Sequence, residues 1–146
     1  MAVLNTATYR IQTGDKVMST LSATGSVAAV ITFFVALFMG GSFREIGMTN
    51  MIALAIGVVA VVVWKFGSPK YANYCILTAV ASGFVPFYIA LWRNPGAESV
   101  TAWFIWSIST TLGVVVVRMR NGKATDFVAP VVIMALHITT FVLTCM

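Results

Sequence analysis

Charge is what this chain has least of. Only 9% of its 146 residues are charged, nine Lys and Arg against four Asp and Glu, where soluble domains carry about 25%. No two carboxylates fall inside one apolar stretch, so paired acid–base chemistry has no carriers. A glycine-rich phosphate loop is absent too. One histidine and two cysteines cannot supply the Cys/His spacing that zinc requires. Haem held by two histidines would take two chains, and nothing else here points to iron. The sequence therefore predicts no enzyme, no metal and no cofactor. It also lacks an Asn-x-Ser/Thr acceptor and a lipidation motif.

Hydrophobic residues make up 60% of the chain, and they are gathered. Five stretches of roughly 17 to 19 residues contain no Asp, Glu, Lys or Arg: 21–39, 48–64, 74–92, 100–117 and 127–145. A transmembrane helix needs about 20 apolar residues, with about 17 as the lower limit. The predicted fold is all-α, five transmembrane helices in an up-down bundle. A single membrane domain over 21–146 would follow a polar cytoplasmic segment, 1–20. A signal peptide would put a shorter apolar run nearer the start, and the residues around Met39 and Gly40 make a poor cleavage site. The first stretch is therefore read as a retained helix.

The charges orient the bundle. Lys and Arg accumulate in cytoplasmic loops. With five crossings, Arg10, Lys16, Lys65, Lys70, Arg118, Arg120 and Lys123 share one side and Arg44 and Arg93 the other, seven against two. Without the first crossing the tally becomes four against five. The N-terminus is thus expected in the cytoplasm and the C-terminus outside, in a plasma membrane of bacterial inner-membrane type. The net charge of +5 then serves orientation and anionic headgroups, and no nucleic acid is expected as a partner. Cys75 and Cys145 would lie at opposite faces, beyond disulfide reach.

Each connection carries turn chemistry: Gly40-Gly41, Gly67-Ser68-Pro69, Asn94-Pro95-Gly96 and Asn121-Gly122. Trp64, Trp92 and Trp103 sit at segment ends, where aromatic belts form. Small-x-x-x-small pairs (Gly25 with Ala29, Ala53 with Gly57, Ala79 with Gly83) allow close helix approach. The third segment holds Pro86, which withholds a backbone hydrogen bond from the Ser82 carbonyl. That carbonyl could line a polar pathway, or the proline could only bend the helix.

The fourth segment is the most polar. At 100° per residue, Trp103, Trp106, Ser107 and Thr110 share a face about 100° wide. They read as cavity lining or as interhelical contact residues. The fifth segment carries His137, about 10 residues and hence about 15 Å from its cytoplasmic end. An ionisable residue at that depth is a functional candidate; its bland alternative is a neutral ring bonded to Thr110, Thr140 or a carbonyl. Pro86 and Tyr88 are expected beside it. The candidate substrate-binding set is Pro86, Tyr88, Trp103, Trp106, Ser107, Thr110 and His137.

The stretch Gly83-Phe84-Val85-Pro86-Phe87, then Arg93, Ser99 and Thr101-Ala102-Trp103-Phe104-Ile105-Trp106, resembles the PQ-loop and SemiSWEET-like small transporters. It is similar as well to small bacterial membrane proteins with a Gly-aromatic-x-Pro-Tyr-like segment before Thr/Ser-Trp-x-x-Trp. The likeness covers residues 74–146. It implies a three-helix unit that pairs with another to enclose a binding cavity. Phe87 stands where the namesake glutamine falls, and residues 1–73 hold no second copy, so pairing would take a second chain.

Two functions remain open. One is a transporter-like or solute-binding bundle that acts on a small polar solute as a homo-oligomer within the lipid bilayer. The other is a non-catalytic accessory subunit of a larger membrane complex. A pore-forming lysis protein is a more distant third.

Overall fold

The computed structural model describes residues 2–38 and 48–146. Among them are six α-helices and no strand: α1 (Ala2–Thr13), α2 (Thr20–Phe38), α3 (Met48–Phe66), α4 (Pro69–Arg93), α5 (Val100–Met119) and α6 (Ala124–Thr144). A single 3-10 turn, Pro95–Ala97, joins α4 to α5. The all-α class is as the sequence predicts.

Three of these helices, α4, α5 and α6, are long and apolar enough to cross a membrane, with 25, 20 and 21 residues. The sequence predicts five spans. The other two fall on α2 and α3, where, among the described residues, the apolar helix comes as the shorter pieces Ser22–Ile31 and Ala55–Phe66. The Gly40-Gly41 turn, Arg44 and the Ala53 side chain lie outside the described residues.

The chain forms two compact units, Met1–Ala79 and Val80–Met146, with α4 beginning in one and ending in the other. In the first unit the main departure from the sequence reading is α1. Residues 2–13, part of the stretch 1–20 expected as a polar cytoplasmic segment, form a helix laid against α2. Its polar side chains hold it there. Thr6 Oγ1 donates to the Ser22 carbonyl at 2.7 Å and pairs with Ser26 Oγ at 2.6 Å. Asn5 Nδ2 donates to Ser22 Oγ at 3.1 Å. From α4, Asn73 Nδ2 donates to Asn5 Oδ1 at 3.1 Å and to Thr8 Oγ1 at 3.3 Å. Thr8, Tyr9 and Asn73 are all but fully buried.

Local chemistry sets the junctions. Gly14, at φ +66, ends α1 and returns its N–H to the Arg10 carbonyl at 3.0 Å; glycine bears that left-handed backbone without strain. Asp15 Oδ1 then accepts from the Val17 and Met18 amides at 2.7 and 3.2 Å. After α3, Gly67 N donates to the Val63 carbonyl at 2.8 Å. Ser68 Oγ accepts from Lys70 N at 3.3 Å, with Pro69 at the first helical position of α4, where its missing N–H costs nothing.

In the second unit, α5 starts on Ser99, whose hydroxyl accepts from Ala102 N at 3.3 Å. It ends on Asn121 at φ 52. The Asn121 N–H bonds the Arg118 carbonyl at 3.2 Å and the Gly122 N–H bonds the Val117 carbonyl at 3.0 Å. Those two bonds form a Schellman motif, which explains the Asn-Gly pair seen in the sequence. Asp126 then anchors α6: its Oδ2 accepts from Lys123 N at 2.8 Å.

Helices α5 and α6 pack along one another. The residues α5 buries are Ser107, Thr110, Gly113 and Val117, and those α6 buries are Asp126, Ala129, Thr140 and Thr144. Their spacing of three, four or eleven marks one face of each helix, and most are small, which lets the backbones come close.

Polarity is turned inside out. Among the described residues, Thr8, Ser19, Ser26, Asn73, Ser107, Thr110, Asp126, Thr140 and Thr144 are buried, while Val85, Ile89, Trp92, Ile105, Ile108, Leu112 and Val142 are exposed. In water that pattern would expose large apolar area at about 25 cal/mol per Å². In hydrocarbon it is the stable arrangement, because polar groups must find partners within the protein. The chain is a membrane protein.

Candidate functional site

One end of the second unit gathers rings around His137. The imidazole lies 5.5 Å from the Trp106 ring, 5.6 Å from Trp103 and 6.1 Å from Phe84, centroid to centroid. Phe87 joins from α4, 5.5 Å from Trp103 and 6.0 Å from Phe84. Tyr88 stands 5.6 Å from Phe84. These tilted and edge-on contacts are each worth about 0.5–1.5 kcal/mol beyond area burial.

Helix geometry explains the convergence. Phe84, Phe87 and Tyr88 have the three- and four-residue spacing of one α4 face. Trp103 and Trp106 do the same near the start of α5. His137 faces them from α6, about 20 Å from its start and about 10 Å from its end at 1.5 Å per residue. The helix begins at Ala124, three residues before the charge-free run from which the depth of about 15 Å is counted.

Two polar groups define the centre. The Tyr88 hydroxyl donates to the Leu136 carbonyl at 2.7 Å, and the Thr140 hydroxyl donates to the same carbonyl at 2.9 Å. Beside that carbonyl, His137 Nδ1 is buried and has no hydrogen-bond partner among the described residues. The Trp106 backbone lies near the imidazole. A neutral imidazole with its proton on Nε2 keeps an acceptor lone pair at Nδ1. Leaving such a group unsatisfied costs about 1–3 kcal/mol.

The predicted site residues separate into three groups. Tyr88, Trp103, Trp106 and His137 come together as expected. Ser107 and Thr110 are buried on α5, but their hydroxyls turn to their own helix. Ser107 Oγ donates to the Trp103 carbonyl at 2.8 Å, and Thr110 Oγ1 to those of Trp106 and Ser107 at 3.0 and 3.2 Å. Among the described residues the imidazole bonds neither Thr110 nor Thr140; of the partners the bland reading offers, a backbone carbonyl is the one with a candidate nearby, at Trp106. Pro86 lies on the exposed side of α4, rotated away from Phe84, Phe87 and Tyr88, and does not join the cluster.

Phe84 and Phe87 are the residues the sequence reading passed over. Their signal was the spacing to Tyr88, obscured by attention to the proline between them. Trp103, read both as a belt residue and as a candidate site residue, is a wall of the cluster, and its Nε1 donates to Glu98 Oε2 at 3.1 Å. That bond ties the cluster to the turn between α4 and α5.

Among the described residues no group of three or more His, Cys, Asp or Glu could hold a metal ion. In comparisons with known proteins, no family model matches this chain, and no curated protein or solved structure aligns with it.

Proposed function

We propose that this protein binds or moves a small polar solute within the membrane, as an oligomer and without a catalytic step. The observation that supports the reading is His137 Nδ1, a buried acceptor with no partner inside a wall of Phe84, Trp103 and Trp106. Ligand sites combine aromatic walls with a few placed polar groups. A solute hydroxyl or amine that donates to Nδ1 would recover the hydrogen bond the apo protein forgoes.

In this reading α2 and α3, each of 19 residues, cross the bilayer too, giving five spans with the N-terminus in the cytoplasm of a bacterial-type cell. Trp106 is partly exposed at the edge of the ring cluster, so a second copy of the chain would complete the enclosure. The likeness to PQ-loop and SemiSWEET-like transporters fits such pairing, since the second unit contains the motif-bearing α4–α5 junction once.

The accessory-subunit reading draws on a different observation. Ser107 and Thr110 spend their hydroxyls on α5 itself and are buried along the face packed on α6, as contact residues would be.

Purified protein reconstituted in vesicles should be screened for flux of small polar solutes, and in detergent for thermal stabilisation by them. The expected result is a stabilising solute whose effect disappears in His137→Ala. If the protein stays monomeric, binds nothing and is recovered only in stoichiometric complex with an unrelated membrane protein, the accessory reading replaces this one.

A further inference from the structure

The first unit contains a groove of about 420 Å³ between α1 and α2. Its basic end is formed by Arg10, in the last turn of α1, and by Lys16, in the turn that leads into α2. Both side chains line the groove and both are exposed. Among the described residues neither makes an ion pair or a side-chain hydrogen bond. The neighbouring carboxylate, Asp15, is directed at the Val17 and Met18 amides.

Farther along, the groove is lined by Thr20, Thr24 and finally Val27. Thr20 gives its hydroxyl hydrogen to the Lys16 carbonyl and Thr24 gives its own to the Thr20 carbonyl, each at 3.0 Å. Their oxygens remain as acceptors. The order along the groove is therefore two cationic donors, neutral acceptors, and an apolar end on a helix of largely aliphatic sequence.

A matching ligand carries a phosphate, hydroxyl donors near it, and an apolar chain. Small-molecule sites of about 300–1,000 Å³ are usual, and a free phosphate would leave most of this volume and all of the Val27 end unused. We propose that the α1–α2 groove binds the headgroup of an anionic, hydroxyl-bearing phospholipid of the phosphatidylglycerol type. The inference rests on α2 lying in the bilayer and is independent of the solute reading of the His137 cluster.

The full chain in mild detergent should be titrated separately with short-chain phosphatidylglycerol, short-chain phosphatidylcholine and inorganic phosphate, with bound ligand read by native mass spectrometry and calorimetry. Phosphatidylglycerol should saturate at one per chain, with the other two much weaker. Arg10→Gln with Lys16→Gln should weaken it by about tenfold or more, the scale two basic contacts at a membrane surface imply. Lys65→Gln with Arg118→Gln, which removes the same charge elsewhere, should change it less than about twofold on that scale. Ala23→Leu narrows the groove without touching a charge, and should also weaken binding.

Equal loss in both charge pairs would reduce the effect to bulk electrostatics and overturn the site. Phosphate binding as tightly as the lipid would make it a simple anion site, and phosphatidylcholine binding as tightly would remove the role of charge; either result overturns the proposal, as does no binding. Should the Arg10/Lys16 pair fail to fold, Ala23→Leu decides alone. Labelling of residues that flank α2 separates the two failures: a crossing α2 without lipid selectivity defeats the site only, and lipid selectivity with a non-crossing α2 defeats the topology only.

Discussion

Tyr88 of α4 donates its hydroxyl hydrogen to the Leu136 carbonyl of α6 at 2.7 Å, one residue before His137. The same oxygen accepts from the Thr140 hydroxyl, in addition to the backbone N–H that an α-helix supplies from four residues on. That bond joins the aromatic face of α4 to the turn of α6 that presents the imidazole. Tyr88→Phe keeps the ring and removes the bond. It should cost about 0.5–1.5 kcal/mol, nearer the low end because interhelical bonds in membranes average about 0.6 kcal/mol. Unfolding in mixed micelles measures this, and a stability unchanged or raised would mean the bond does not tie α4 to α6.

Replacing His137 should separate stability from binding. His137→Phe fills the same volume with a ring and removes the unpartnered Nδ1. Exchanging an unsatisfied buried polar group for an apolar one of similar shape is about neutral or stabilising. His137→Phe should therefore unfold at the same temperature as the parent or higher, while losing all solute-dependent stabilisation. A large drop in its melting temperature would show that the imidazole serves a structural hydrogen bond, and the solute reading would lose its main support.

Different parts of this molecule were legible to different degrees. Asn121-Gly122 announced its turn, because only a left-handed residue followed by a free amide closes the end of α5. The spans of α4, α5 and α6 could be read from the absence of charge alone. Helix α1 could not, because its docking face carries Asn5, Thr6 and Thr8 and shows no apolar stripe. The ring cluster was half visible. Trp103, Trp106 and His137 stood out as rare residue types, whereas Phe84 and Phe87 are common apolar residues whose register with Tyr88 only the fold reveals. Hydroxyl direction is invisible in a sequence, and so Ser107 and Thr110 looked like ligand donors.

The docking of α1 depends on Asn73, whose Nδ2 serves both Asn5 and Thr8. Asn73→Leu keeps bulk and removes both donors, leaving two buried acceptors short of a bond. The expected cost is about 1–3 kcal/mol, with proteolysis rising between α1 and α2 before global unfolding. Asn73→Leu with wild-type resistance to limited proteolysis would mean that apolar packing around Tyr9 holds α1 unaided.

Thr110→Val tests what the polar stripe of α5 is for. The Thr110 hydroxyl is already committed to the carbonyls of Trp106 and Ser107, so an isosteric methyl takes away no contact to another helix. Stability should change by less than about 1 kcal/mol, as for a local back-bond in a helix, and solute binding should persist. Thr110→Leu instead overfills the buried α5 face and should cost about 1–3 kcal/mol. If Thr110→Val abolishes binding while its stability is intact, the hydroxyl reaches the solute and belongs to the site after all.

The arrangement in the membrane gives the most general prediction. Seven Lys and Arg side chains fall on one side of a five-span chain and two on the other, and cytoplasmic loops collect such residues. If α2 and α3 cross as α4, α5 and α6 are built to do, the two ends of the chain lie on opposite sides. A phosphatase reporter, active only outside the cytoplasm, should be active when fused after Met146. A cysteine placed near Arg10 should be labelled only after the cytoplasmic face is opened, and one at Asn121 should behave the same way, because both share the basic side. An inactive reporter after Met146 together with an Asn121 position labelled from outside, while the position near Arg10 stays protected, would require an even number of crossings. That result would remove α2 or α3 from the bilayer.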